Sequence, residues 1–286
     1  MYSYGFKIRR IVLTMFVVLG IITTACILQP FIMGAIKKNG MPKVLKFEAW
    51  FPFAFNETPI FQMMYFIQTL SSFQCLMMQV LLDGTTVFIV FHCCGQLTIL
   101  CKVVSNYKGV LKHNNTEEVS VEYFQQSCSC TRCITNHYIY QAIFVKKVSD
   151  FFSSYNMLRI MMSTTNFCLM GYISVQSREK NEASNFILEG SFLLANMSSF
   201  FGCCWVGQQL LNKNEELVNA VHEISWYKYD HKCIYPMMML LKRTKRPLRL
   251  TCGIFFTLSH ELYSGWVSTA CSYLSVYNAM KTSSQQ

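Results

Sequence analysis

A chain of 286 residues that is 52% hydrophobic and only 14% charged, with 23 Phe, 17 Met and 15 Tyr, carries more apolar side chain than a soluble core of this length needs. Loops facing an anionic inner leaflet account for most of its formal charge of +10, which therefore needs no nucleic-acid reading. There is no Ser-His-Asp or paired-carboxylate motif, no glycine-rich phosphate loop and no H-E-x-x-H, which leaves nothing to support an enzyme, a cofactor or a metal reaction centre.

A bilayer span needs about 20 mostly apolar residues. Five segments reach that length: Ile11 to Ile36, Ile60 to Leu82, Phe151 to Val175, Ser191 to Leu211, and residues 258–280, whose apolar part runs from Leu262 to Met280. Only the third holds a charge within its apolar run, Arg159. Basic residues mark the cytoplasmic side. Three precede the first span, six lie in 102–147 and eight in 213–249, against seven on the other side. This bias predicts a cytoplasmic N-terminus and an extracellular C-terminus. The run after Arg10 is too long for a signal h-region and lacks a clear small-residue cleavage site, so it reads as a span.

The first loop, Lys37 to Pro59, interleaves Trp50, Phe51, Phe53 and Phe55 with Pro52. On the predicted outer face such a loop is either a lid over a pocket or an aromatic belt at headgroup depth. Asn56-Glu-Thr is a glycosylation sequon on that same face. From Ile60 to Val104 the pattern runs without Pro, about 67 Å as helix, roughly twice the hydrocarbon thickness. One helix extending below the membrane fits that length, and so do two spans joined at Asp83-Gly84. On the single-helix reading Asp83 falls at the inner boundary, the alternative being a fully embedded, proton-relaying Asp.

Cys128, Cys130, Cys133 and His137 supply zinc-type ligands, but their C-x-C-x2-C-x3-H spacing is compressed, and the expectation is reduced thiols with no metal. None of the 14 cysteines falls in the outer loops 37–59 and 176–190, so no disulfide framework is indicated. Arg159 is expected near the inner headgroups, because its helix starts with the polar stretch SDFFSSYNMLRIMM. After the fourth span the chain reads as a helix leaving the membrane with Glu215, Glu216 and Glu223 on its wet surface, followed by the apolar and basic run Met237 to Thr251. In the last helix Ser272, Val276 and Met280 recur every fourth residue and share a face.

Several of these segments carry motifs that resemble the insect odorant receptors. They are the W-x-P-F stretch at Trp50, the Asp83 and G-Q-L-x-x-L pattern with Gly95, Gln96 and Leu100, and the I-x-x-H segment ending at His137. They continue with Gly207, Leu210, Val218, Ala220 and Trp226, and with Tyr-x-x-Val at Tyr273 and Val276; the family usually has Ser where this chain has Asn214. The resemblance implies an all-α integral membrane protein of inverted topology, a single membrane domain whose long helices extend into a cytoplasmic anchor layer, here residues 213–251. It favours the single long helix through Asp83. The family has seven helices and this chain supplies counterparts of the third to the seventh. The expectation is therefore a fragment, a truncated gene model or a degenerate copy.

The function implied is that of an odorant receptor subunit in the plasma membrane of olfactory sensory neurons. Such a subunit binds a small volatile and gates a non-selective cation channel in a hetero-tetramer with a shared coreceptor. By the resemblance, Ser272, Tyr273, Val276 and Met280 line the pore, with Val276 as an aliphatic gate that excludes water. The family pocket lies in the outer half of the bundle, where this chain offers Thr23, Ile27, Phe61, Tyr65, Phe66, Phe73, Phe192 and Met197, the apolar and aromatic walls a volatile needs. The alternatives are a gustatory-type receptor channel, disfavoured because SYLSVYNAM lacks that family's Gln-Phe ending, a transporter, for which no internal repeat is found, or a truncated non-functional copy.

Overall fold

The computed structural model describes residues 10, 13–14, 17, 59–107, 109–110, 130–179, 183–225 and 228–284, with side chains described for most of these. The expected first span, the aromatic loop, Asn56, Cys128 and Trp226 lie outside these residues, Leu13, Thr14 and Val17 of that span and Pro59 at the loop's end apart. Among the described residues from 59 onward, five helices follow in order: α1 Ile60–Ser105, α2 Thr131–Glu179, α3 Ala183–His222, α4 His231–Thr244 and α5 His260–Ser284. Between α4 and α5 stands one antiparallel pair of two-residue strands, β1 Thr251–Cys252 and β2 Phe256–Thr257.

Helix α1 is continuous through Asp83-Gly84. It contains no Pro, and its two glycines cost a helix of 46 residues little beside its packing. Its two halves bury their side chains differently. From Met63 to Leu81 large apolar residues such as Phe66, Leu70 and Met78 face outward, whereas Val87, Val90, Cys94, Leu97 and Val104 are buried at the spacing of one helical face. Outward apolar side chains on the first half are what a lipid-facing surface requires. Among the described residues α1 is the one helix long and apolar enough to cross a membrane by length and composition. The other long helices interleave hydroxyl and amide residues with their apolar ones, as at Ser163 to Asn166 of α2 and Ser268 to Ser275 of α5.

The chain divides into two compact units, and α1, α2 and α3 each contribute to both. The first unit holds residues 87–165 and 200–286. Its core is built from the second half of α1, the first part of α2, the second half of α3, and α4, with Tyr138, Leu97, Leu210, Leu217 and Leu250 fully buried. Helix α4 buries Cys233, Met237, Leu240 and Thr244, one stripe of an amphipathic helix, and keeps Lys242 and Arg243 in its last turn, where the helix dipole favours cations. The second unit holds residues 6–86 and 166–199. Within it Gln79 Nε2 donates to Ser199 Oγ at 3.1 Å, tying α1 to α3, and Phe167 and Ala195 are buried.

The hairpin is the element that sequence periodicity did not signal. Thr251 pairs with Thr257 and Cys252 with Phe256, and Leu258 N donates to Leu250 O at 2.9 Å, so the ladder continues one step past the strands. Gly253 at the start of the three-residue turn has φ +59, a left-handed conformation that favours glycine. No disulfide joins the described cysteines.

Candidate functional site

The site is built around the base of α5. Ser259 caps the helix, its Oγ accepting from Leu262 N at 3.3 Å, and Glu261 places an acidic group in the first turn. Gln208 Oε1 of α3 accepts from His260 N at 3.2 Å, so a neighbouring helix takes up another orphan donor. Just before the cap, Leu258 lies so close to Gly207 of α3 that a Cβ there would collide with the Leu258 carbonyl oxygen and Cβ. One turn on, Trp266 Nε1 donates to Thr164 Oγ1 of α2 at 2.9 Å. The Trp266 indole meets the Phe200 ring edge to face at 5.0 Å, and Phe201 meets Tyr263 in the same manner at 5.2 Å. Ala270 is the last buried residue of the helix among those described.

Beyond Ala270 the helix residues whose side chains are described are exposed. Tyr273 is 64% exposed, Val276 55% and Met280 62%. Ser272 is exposed with them. The hydroxyls of Thr269, Ser272 and Ser275 donate back to carbonyls four residues earlier, at 2.8 to 2.9 Å. Their donors are thereby satisfied inside the helix, and their oxygen lone pairs are left for water or a cation. The structure thus presents a hydroxyl-bearing stripe with Val276 set into it, on a helix whose base is locked.

Beneath α5, in the same unit, lie most of the motif positions. Gly95, Gln96 and Leu100 are buried on α1, and Gln96 Oε1 meets His137 Nε2 of α2 at 3.2 Å. Tyr107 Oη and Thr131 Oγ1 are 2.6 Å apart, and Tyr229 Oη donates to Tyr107 O at 3.1 Å. Asn214 Nδ2 reaches Thr244 O at 3.2 Å, and Tyr138 Oη reaches Arg243 O at 3.3 Å. These bonds clamp α4 to α2 and α3. Asn214, where the family usually has Ser, is buried and bonded in this clamp. Burial pushes the Tyr107 hydroxyl up to about 12 and the Cys252 thiol up to about 12, the latter against the opposing field of Arg159. Cys130 and Cys133 are buried near one end of α2, and no group of three or more metal-ligating side chains occurs among the described residues.

Burial also pushes His137 below its ordinary 6.5. Its folded-state pKa is lower than its unfolded one, so the unfolded chain takes up the proton first as pH falls. The contribution to stability is complete above about pH 6.5 and is lost as pH falls below that toward the folded value. The melting temperature in detergent is expected to fall between about pH 7.5 and about pH 5.5, and His137→Gln to flatten that slope. Equal slopes for the two proteins would remove His137 as its source.

In the second unit, Phe61 and Tyr65 stack with ring centroids 6.3 Å apart, one turn apart on α1. Phe66 and Phe73 lie about 100° around the same helix, outward and exposed, so the structure does not gather the four aromatic candidates on one face. Met197 is half-buried and Asp83 is buried. Thr23 and Ile27, and the Phe192 side chain, lie outside the described residues. The residues that the sequence reading passed over are Thr164, Trp266 and Gln208, which seat α5. A lone Trp amid Ser and Gly at the start of an apolar helix was the available signal.

The family model of the 7tm odorant receptors matches residues 4–271 of this chain. The chain belongs to the insect odorant receptor family. Odorant receptor 63a of Drosophila melanogaster is 24% identical over 217 residues, covering 76% of this chain and 49% of that receptor. Odorant receptor 13a of the same fly is 20% identical over 252 residues, covering 83% of this chain and 58% of that receptor. The chain therefore spans about half the length of these relatives. The structure of the olfactory receptor OR5 from Machilis hrabei in complex with eugenol superposes with a TM-score of 0.75 at 14% identity, over 98% of this chain and 70% of that one. The fold is thus the all-helical membrane fold of an insect olfactory receptor, and the family is one of receptors and channels rather than enzymes.

Proposed function

We propose that this odorant receptor chain is a ligand-sensing subunit of a non-selective cation channel, assembled with a shared coreceptor in the plasma membrane of olfactory sensory neurons. The N-terminus is cytoplasmic and the C-terminus extracellular, as the distribution of basic residues favours. The expected spans at 60–82, 151–175, 191–211 and 258–280 cross the bilayer, and the first unit's clamp of α1, α2, α3 and α4 forms the layer on which subunits assemble. The observation that carries the reading is α5 itself. Its base is fixed by Trp266, Ser259 and Gly207, while Ser272, Tyr273, Val276 and Met280 are uncovered by the chain's own side chains. Such a face is supplied with neighbours by other subunits around a pore. A small apolar volatile is held in the outer half of the bundle by aromatic and Met side chains, with the Phe61–Tyr65 pair as one wall.

Co-expression with an insect coreceptor in oocytes, with recording under a panel of volatiles, tests this. A cation current evoked only when this chain is present is expected. Silence, with this chain at the cell surface, both as it stands and with two preceding helices joined to it, would overturn the reading.

A further inference from the structure

The hairpin turn has no part in seating α5 or in the clamp, yet it exposes two large apolar side chains. Ile254 is 92% and Phe255 82% exposed. The turn is not a loose loop. Gly253 N donates to Ser153 O and Ser153 Oγ donates to Gly253 O, each at 3.2 Å, while Ser149 Oγ and Thr251 Oγ1 lie 2.9 Å apart. Behind it, a Cβ on Gly253 would touch Met157. The fold holds the tip outward on a rigid stalk, where water gives it no favourable partner.

The surroundings are cationic. Lys242, Arg243, Lys245, Arg246 and Arg249 are exposed in the segment leading to the hairpin, and no Asp or Glu occurs between Asp230 and Glu261. The depth is fixed by the hairpin's contacts. It is bonded to α2 at Ser153, its Cys252 lies in the field of Arg159, the residue expected near the inner headgroups, and Leu258 packs on Gly207, four residues before the expected span ends at 211. An apolar tip with a cationic flank, at the level where acyl chains give way to headgroups, has the composition of an interfacial membrane anchor. A second copy presenting this same face to it would set the same cations against each other.

We propose that the Ile254-Phe255 tip inserts into the inner leaflet and that Lys245, Arg246 and Arg249 hold anionic phospholipid headgroups beside it, so that the base of α5 is coupled to leaflet composition. The inference rests on the bilayer placement given under the proposed function. The test places the photoreactive analogue p-benzoylphenylalanine at Phe255 in the full chain, reconstituted in nanodiscs of phosphatidylcholine with or without phosphatidylserine. Adducts are identified by mass spectrometry. Phe66, exposed on the first half of α1, carries the same analogue as a bilayer control. The expected result is a lipid adduct at both positions, with the yield at 255 rising several-fold with phosphatidylserine and the rise lost in the triple variant Lys245→Gln, Arg246→Gln, Arg249→Gln. A protein cross-link at 255, or none, beside a lipid adduct at 66 overturns the proposal and leaves the bilayer placement standing. Lipid adducts at neither position overturn both. A yield at 255 indifferent to phosphatidylserine overturns the headgroup assignment.

Discussion

Gly207→Ala is expected to destabilise the receptor by about 3 kcal/mol, the upper end of what overpacking costs. A Cβ at this position would overlap the carbonyl oxygen and the Cβ of Leu258, and backbone cannot swing aside as a flexible side-chain tip does. Relief requires α3 to withdraw from the segment between β2 and α5. That withdrawal strains the Gln208 bond to His260 and the Phe200 contact with Trp266, both of which seat α5. The melting temperature in detergent is expected to fall by roughly 6–12 °C, using about 2–4 °C per kcal/mol for a chain of this size. Current in any functional assembly should fall with it. Gly95→Ala is the contrast. A Cβ there meets nothing within 4 Å, and alanine is the better helix former, so stability is expected to stay level or rise by up to about 1 kcal/mol. Equal losses at the two glycines would mean that helix flexibility, and not the approach of Leu258, explains Gly207.

The contrast shows what was legible in the sequence. Both glycines were picked out by the same family pattern, and nothing in one chain of letters says which one has a backbone pressed against it. The long continuous α1 was legible only through the family resemblance, because 46 residues without Pro but with Asp83-Gly84 in their midst fit one helix or two spans equally well. Helix α5 was legible in its own residues, and its Ser272, Val276 and Met280 spacing does put three exposed residues along one side. The hairpin was not, since strands of two residues carry no period and only Gly253 marks the turn. Pairings across great distance in sequence were also invisible. Trp266 and Thr164 are 102 residues apart, and Gln96 and His137 are 41 apart. The aromatic candidates on α1 divide for a reason present in the sequence. Residues 61 and 65 fall about 40° apart around the helix, while 66 and 73 lie roughly a quarter-turn further on.

Val276→Ser is expected to raise the resting current of an assembled channel roughly tenfold. The argument starts from the helix surface. Around Val276 the exposed neighbours Ser272 and Ser275 present hydroxyl oxygens whose hydrogens are already spent on the helix backbone, so they tolerate water. In the proposed assembly a Val in that stripe, repeated by neighbouring subunits about a common axis, would make a ring in which water finds no hydrogen-bonding partner, and an ion could not cross without its hydration shell. Serine removes two methyl groups and adds a hydroxyl. With about 0.8 kcal/mol per apolar group buried on closing, the closed state loses about 1.5 kcal/mol per altered subunit, enough for roughly a tenfold change in its population. The measurement is the holding current without odorant, normalised to surface protein and compared with coreceptor-only cells. Val276→Ile retains bulk and apolarity and should keep the channel closed. Because the base of α5 is locked independently by Trp266 and Thr164, the substitution should leave the melting temperature unchanged. A stable variant with unaltered resting current would mean that Val276 packs between helices and that closure belongs to another turn of the same stripe.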